Sequence, residues 1–164
     1  MTLEELNSLP PSRAEAEFLR CCGSGRWARA MVGARPFADV NAMIGRGETV
    51  WASLAASDWL EAFAAHPRIG ERRAVSLWSS EEQSGMRLAD ERMQATLAAL
   101  NVDYQERFGY IFIVCATGQS SADMLAALGA RLSNDPQTEL AVAAGEQQKI
   151  TALRLQKLVM RAHD

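Results

Sequence analysis

A single run, Tyr110-Ile111-Phe112-Ile113-Val114-Cys115, is the only stretch of this chain with strand character. Its β-branched and aromatic side chains suit a pleated surface. A strand, however, needs a neighbour for its backbone N–H and C=O groups. No second run of this kind exists to pair with it, so no sheet is expected. The run is read either as an isolated extended segment through the core, ending near Gly118, or as part of a helix. The remaining residues must bury their apolar surface as helices. Composition agrees: 28 of the 164 residues are alanine, the strongest helix former, and leucine is also frequent.

Helix starts are marked by capping-box patterns, in which a side-chain oxygen and a carboxylate satisfy orphan backbone donors. Thr2 with Glu5, Ser12 with Glu15, Asp58 with Glu61, and Ser79 with Glu82 all have this spacing. Ser120 can cap a helix through Met124, Leu125 and Leu128, and Asp135 before Pro136 opens the last one. Short helices are expected near 3–8, 12–22, 25–33, 38–55 and 58–65. A long one follows near 80–99, a short one near 101–108, and two more near 121–132 and 136–161. The expected fold is all-α, a single-domain helical bundle of about eight or nine helices over residues 1–164, with one extended apolar segment near 110–116. The stretch Pro67 to Ser80 is the largest interruption and reads as a loop of functional length.

Several classes are excluded. A net charge of −3 argues against a general nucleic-acid binder. The longest unbroken apolar run, Ile111 to Ala116, is far short of the roughly 20 residues of a membrane span. Met1-Thr2-Leu3-Glu4-Glu5 is acidic where a signal peptide is basic. The three cysteines, Cys21, Cys22 and Cys115, suit neither a disulfide framework nor a zinc site, and no metal is expected. Reduced, buried thiols point to the cytoplasm.

Three places can carry chemistry. The chain has two histidines; His163 lies near the C-terminus, whereas His66 stands at a helix end before Pro67, which disfavours helical backbone at His66. A helix C-terminus favours protonated imidazole, the side chain most readily switched near neutral pH. A plain cap is the alternative. Ser79, Glu82 and Gln83 sit on the first turn of a helix and offer a hydroxyl, a carboxylate and an amide to one pocket, or simply cap that helix. Arg154 lies between Ile150 and Leu158 on the face expected to be buried. It is either a snorkelling or paired arginine, or a guanidinium aimed into a pocket to hold a carboxylate.

Together these residues fall into an ordered set. It runs His66-Pro67-Arg68-Ile69-Gly70-Glu71, Ser79, Glu82-Gln83, Arg107-Phe108-Gly109-Tyr110, Phe112 and Cys115-Ala116. It continues through Arg131-Leu132-Ser133-Asn134-Asp135-Pro136, Glu139-Leu140, Lys149-Ile150-Thr151 and Leu153-Arg154-Leu155. In this order the set resembles the OHCU decarboxylase family (2-oxo-4-hydroxy-4-carboxy-5-ureidoimidazoline decarboxylase), from the Leu9-Pro10 region to Leu158. The resemblance implies an all-helical carboxy-lyase of urate catabolism that needs no metal or organic cofactor, is often dimeric, and converts its ureidoimidazoline substrate to (S)-allantoin. It places the catalytic pair on His66 and Glu82. Substrate contacts fall on Ser79, Gln83 and Arg154; Pro67 fixes the histidine, and backbone near Phe112 and Ile113 lines the pocket. A cytoplasmic homodimer follows, with Trp27 and Met31 as expected exposed apolar positions for its interface. Two alternatives are a hydrolase acting on a related purine-derived ureido acid and a non-enzymatic helical interaction module.

Overall fold

The computed structural model describes residues 1–66 and 91–160. Among the described residues there are eight helices and no strand: α1 (Leu3–Ser8), α2 (Pro11–Cys21), α3 (Gly25–Ala34), α4 (Val40–Ser53), α5 (Ala56–Ala64), α6 (Glu91–Phe108), α7 (Ser121–Arg131) and α8 (Pro136–Met160). No helix among them is long and apolar enough to cross a membrane. The chain forms two compact units, Met1–Ala62 with Gln148–Asp164, and Phe63–Gln147.

In the first unit, local signals set the helix ends. The Thr2 hydroxyl accepts from the Glu5 amide at 3.0 Å, and the Glu5 carboxylate accepts from the Thr2 amide at 2.9 Å. At the other end of α1, Arg35 Nη1 donates to the Leu6 and Leu9 carbonyls, each at 2.8 Å. A cation thus adds to the Leu9 amide on the Leu6 carbonyl and meets the Leu9 carbonyl at a helix C-terminus. Ser24 caps α3 through the Trp27 amide, and Asp39 caps α4 through the Ala42 amide. Two starts differ from the sequence expectation. Helix α2 opens on Pro11 with no side-chain cap, so proline's fixed φ replaces Ser12 as the initiator. Helix α5 opens at Ala56, and Asp58 accepts from the Ala55 amide at 3.2 Å from inside the first turn.

Trp27 and Met31 are fully buried, not exposed, which corrects their expected place at a dimer interface. The Trp27 indole donates to the Gly47 carbonyl at 3.1 Å, and its ring packs edge-on to Phe18 at 6.0 Å. They join Leu6, Phe18, Met43 and Leu155 among the buried residues of this unit.

In the second unit, α6 packs on α7 around Leu97, Tyr104, Phe112, Val114, Met124 and Leu128. The sequence suggests a break near residue 100, but α6 runs unbroken from Glu91 to Phe108. Asn101, a weak helix former, stays in this helix because its side chain serves a tertiary contact described below. Helix α6 ends at Gly109, whose φ of +89° is a left-handed conformation that glycine adopts without strain. Ser120 and Asp123 form the capping box of α7. Asp135 accepts from the Thr138 amide at 3.1 Å at the start of α8, as the Asp-Pro signal predicts.

Candidate functional site

His66 stands two residues past the end of α5, where its backbone amide donates to the Phe63 carbonyl at 3.2 Å. The turn leaves the imidazole half-buried. Its Nε2 lies 2.5 Å from Oε1 of Gln147, a fully buried side chain on α8. Phe63, just before the turn, packs against Tyr110 with ring centroids 5.2 Å apart. The end of α5 is thereby held to the start of the apolar run.

Tyr110 is a bend and residues 111–116 lie in neither helix nor strand, so the helical reading of the run fails. Three side chains supply what a neighbouring strand would. Asn101 Oδ1 accepts from the Phe112 amide at 3.1 Å. Arg131 Nη1 donates to the Ile113 carbonyl at 2.7 Å. Glu146 Oε1 accepts from the Cys115 amide at 3.1 Å. A buried backbone must have its polar groups paired, and side chains of α6, α7 and α8 pair three of them here.

Arg131 is itself held by a buried network. Its Nε and Nη2 donate to Glu139 Oε2 at 2.9 and 2.6 Å. The Tyr104 hydroxyl also donates to Glu139, and Asn134 Nδ2 donates to its other oxygen at 3.0 Å. The guanidinium lies over the Phe112 ring at 4.3 Å. Burial, followed by the hydrogen bond to Glu139, holds the Tyr104 hydroxyl protonated well above the usual tyrosine range.

Arg154, in the other unit, is only 8% exposed, on a helix face with buried Ile150 and Leu158. The periodicity reading therefore holds: a cation sits on a buried stripe. Its Nη1 lies 3.4 Å from the Cys21 carbonyl oxygen. Cys21 and Cys22 are buried free thiols, pushed up by burial to about 12 and about 11. Thiols so raised are poor nucleophiles at neutral pH.

Of the residues singled out in the sequence, His66, Phe112, Ile113 and Arg154 are described. Pro67, Ser79, Glu82 and Gln83 lie outside the described residues, as do Arg68, Glu71, Arg72, Arg73 and His163. His66, Phe112 and Ile113 share one unit. Sequence reasoning gave no role to Gln147, Asn101 or Glu146. Gln147 had a usable signal, since it stands three residues before Ile150 on the buried stripe of α8. Among the described residues, no three His, Cys, Asp or Glu side chains come together as metal ligands would.

This arrangement has known counterparts. The profile of the OHCU decarboxylase family matches residues 7–156. The uric acid degradation bifunctional protein TTL of Arabidopsis thaliana is 39% identical over 88% of this chain and 47% of its own length. The decarboxylase of Amia calva is 38% identical over 48% of this chain and 45% of its own length. These matches span about half the length of those relatives. The decarboxylase of Haloferax volcanii matches at 27% identity over 94% of both chains. A crystal structure of OHCU decarboxylase in the presence of (S)-allantoin superposes with a TM-score of 0.80 at 40% identity, over 88% of this chain and 97% of that one. An (S)-allantoin synthase structure, at 19% identity and a TM-score of 0.73, shares the fold. With one profile covering nearly its whole length, this chain belongs to the OHCU decarboxylase family.

Proposed function

We propose that this protein decarboxylates 2-oxo-4-hydroxy-4-carboxy-5-ureidoimidazoline to (S)-allantoin. The observation that carries the reading is the combined match: one family profile over residues 7–156, and a TM-score of 0.80 to a family structure obtained with (S)-allantoin. The profile's reach also supports one functional domain across the chain. The segment held by Asn101, Arg131 and Glu146 and the half-buried His66 supply a setting for the chemistry.

The substrate carries its carboxylate on a carbon that also bears a hydroxyl, beside a C=N bond. When the bond to the carboxylate breaks, carbon dioxide leaves and the electron pair moves into the C=N group, onto nitrogen. The ring nitrogen takes up a proton from water, the hydroxyl loses its proton to become a carbonyl, and the ureido-bearing carbon gains one. The ring is its own electron sink, so the reaction balances without a cofactor. The protein must set the carboxylate perpendicular to the π-system and deliver the new proton to one face. In this reading His66 and Glu82 are the acid–base pair. Arg154 holds a substrate oxygen, since a guanidinium suits an anionic partner. Ser79 and Gln83 meet the ureido and ring amides, Pro67 sets the backbone after His66, and backbone at Phe112 and Ile113 lines the pocket. The family resemblance and the free buried thiols support a cytoplasmic homodimer.

The test is circular dichroism of a coupled reaction. Urate, urate oxidase and 5-hydroxyisourate hydrolase generate the unstable substrate, and the protein is then added. The expected result is rapid growth of one optical sign, cut at least about a hundredfold in His66→Ala, the lower range for a general acid–base group. Slow racemic product, equal to the enzyme-free control, would reject the decarboxylase reading. Full activity in a folded His66→Ala would reject the role of His66.

A further inference from the structure

We propose that Asn101 is a positioning residue for the reaction: its side chain, together with that of Arg131, clamps the pocket-lining backbone of Phe112 and Ile113. The inference rests on the proposed function, which lines the substrate pocket with that backbone, and goes beyond it by naming what sets the backbone's place.

Asn101 stands where packing alone would favour an apolar residue. It lies on α6 between Leu97, one turn before, and Tyr104 and Phe108, one and two turns after, and residues so spaced share a helix face. Leu97 and Tyr104 are fully buried and join Phe112 in one core cluster, with Phe108 packed against it. Asn101 is itself only 3% exposed. An amide in such a place costs stability unless its polar atoms are bonded, and asparagine is also a weak helix former. Its Oδ1 accepts from the Phe112 amide at 3.1 Å, whereas its Nδ2 has no hydrogen-bond partner in the protein. The bond to Phe112 is what this side chain supplies and a leucine could not.

The next residue is held from another helix. Arg131 on α7 donates from Nη1 to the Ile113 carbonyl at 2.7 Å, and its guanidinium lies over the Phe112 ring at 4.3 Å. Its Nε and Nη2 are tied to Glu139, which stops the guanidinium from turning. The Tyr104 ring meets the Phe112 ring edge-on at 5.3 Å. All of these residues belong to the second unit. The Phe112 amide belongs to the peptide plane before Phe112, and the Ile113 carbonyl to the plane after Ile113. The plane between the two residues is therefore fixed from both ends, since each peptide unit moves as a rigid plate. Releasing the Asn101 end lets that plane turn, and small displacements of groups that orient a substrate are costly to turnover.

Two variants test this. Asn101→Leu removes the acceptor and breaks no other hydrogen bond of the side chain. Asn101→Asp keeps an acceptor oxygen in either protonation state. Leucine is the better helix former and leaves no polar atom in the core, so Asn101→Leu should unfold at a higher temperature than Asn101→Asp. Activity should rank the other way. In the coupled circular-dichroism assay, run well below both unfolding midpoints, kcat/KM should fall about tenfold to a hundredfold in Asn101→Leu and return to within about threefold of wild type in Asn101→Asp. Hydrogen exchange of the Phe112 amide, read by NMR, should quicken at least about tenfold in Asn101→Leu and stay slow in Asn101→Asp. A merely structural side chain would make activity follow the unfolding midpoints, and that outcome overturns the proposal. So does an Asn101→Leu enzyme with wild-type kcat/KM, or a Phe112 amide equally protected in both variants. Should Asn101→Leu not fold, Asn101→Ala removes the same acceptor with less volume and takes its place. If the wild type makes (S)-allantoin and Asn101→Leu matches it, only the positioning role fails. If the wild type makes none, the decarboxylase reading fails and this role falls with it.

Discussion

Glu139 is the residue whose loss should most damage the fold around residues 110–116. Its carboxylate is fully buried and accepts from Arg131 Nε at 2.9 Å, Arg131 Nη2 at 2.6 Å, Asn134 Nδ2 at 3.0 Å, and the Tyr104 hydroxyl. Glu139→Ala removes the counter-ion of a guanidinium whose side chain is only 10% exposed. Breaking one side of a buried pair costs about 3–5 kcal/mol, because the remaining charge has neither water nor a partner. The buried Tyr104 hydroxyl also loses its acceptor, which favours the upper end of that range. With a urea m-value of about 2 kcal/mol/M, the unfolding midpoint should drop by roughly 2 M. The assay is urea denaturation followed by far-ultraviolet circular dichroism and tryptophan fluorescence. The double variant Arg131→Met/Glu139→Leu should be more stable than Glu139→Ala, since apolar replacement of both partners removes the stranded charge. Should Glu139→Ala not fold, Glu139→Gln keeps two faces of the network and should lose about 1–3 kcal/mol. A loss below about 1 kcal/mol in Glu139→Ala, or a double variant weaker than the single, would refute the reasoning.

Two further outcomes follow from the geometry. The buried Cys21 and Cys22 keep their protons to about 12 and about 11, above an ordinary 9.0. An unfolded chain sheds those protons from pH 9 upward, so stability is full below pH 9 and falls as pH rises, by about 1.4 kcal/mol per pH unit for each thiol. Urea midpoints between pH 8 and 10 should show this slope, and Cys21→Ala/Cys22→Ala should flatten it; an equal slope in that variant contradicts the assignment. Tyr104 and Tyr110, raised first by burial, add a loss of the same sign above their ordinary 10.0. The glycines divide by conformation. Gly45 and Gly129 lie inside helices with open space around an added Cβ, so alanine at each should raise stability by about 1 kcal/mol. Gly109→Ala should cost about 1–2 kcal/mol at a φ of +89°. Thermal unfolding of the three variants checks both signs, and a neutral Gly109→Ala would contradict the strain.

What the sequence determined by itself was local or ordered along the chain. The capping boxes at Thr2 and Ser120 and the Asp135-Pro136 start were legible because cap and amide lie three residues apart. The lone β-prone run was legible as a segment without a strand partner. The family was legible because its motifs keep their order. At α2 and α5 several residues qualified as first caps, and proline or an earlier turn prevailed.

The tertiary structure decided where distant residues meet. The sequence reading divided residues 80–108 into two helices near residue 100, whereas α6 runs through and its Asn101 side chain meets the Phe112 amide, eleven residues on. Trp27 and Met31 read as surface because a helix's buried face depends on what covers it. Arg131 and Glu139 were visible as letters of a motif but not as a pair. Gln147 meets His66 across 81 residues. Capping and propensity act within one turn, so a sequence displays them. Burial and pairing of polar side chains depend on neighbours that only the folded chain brings together.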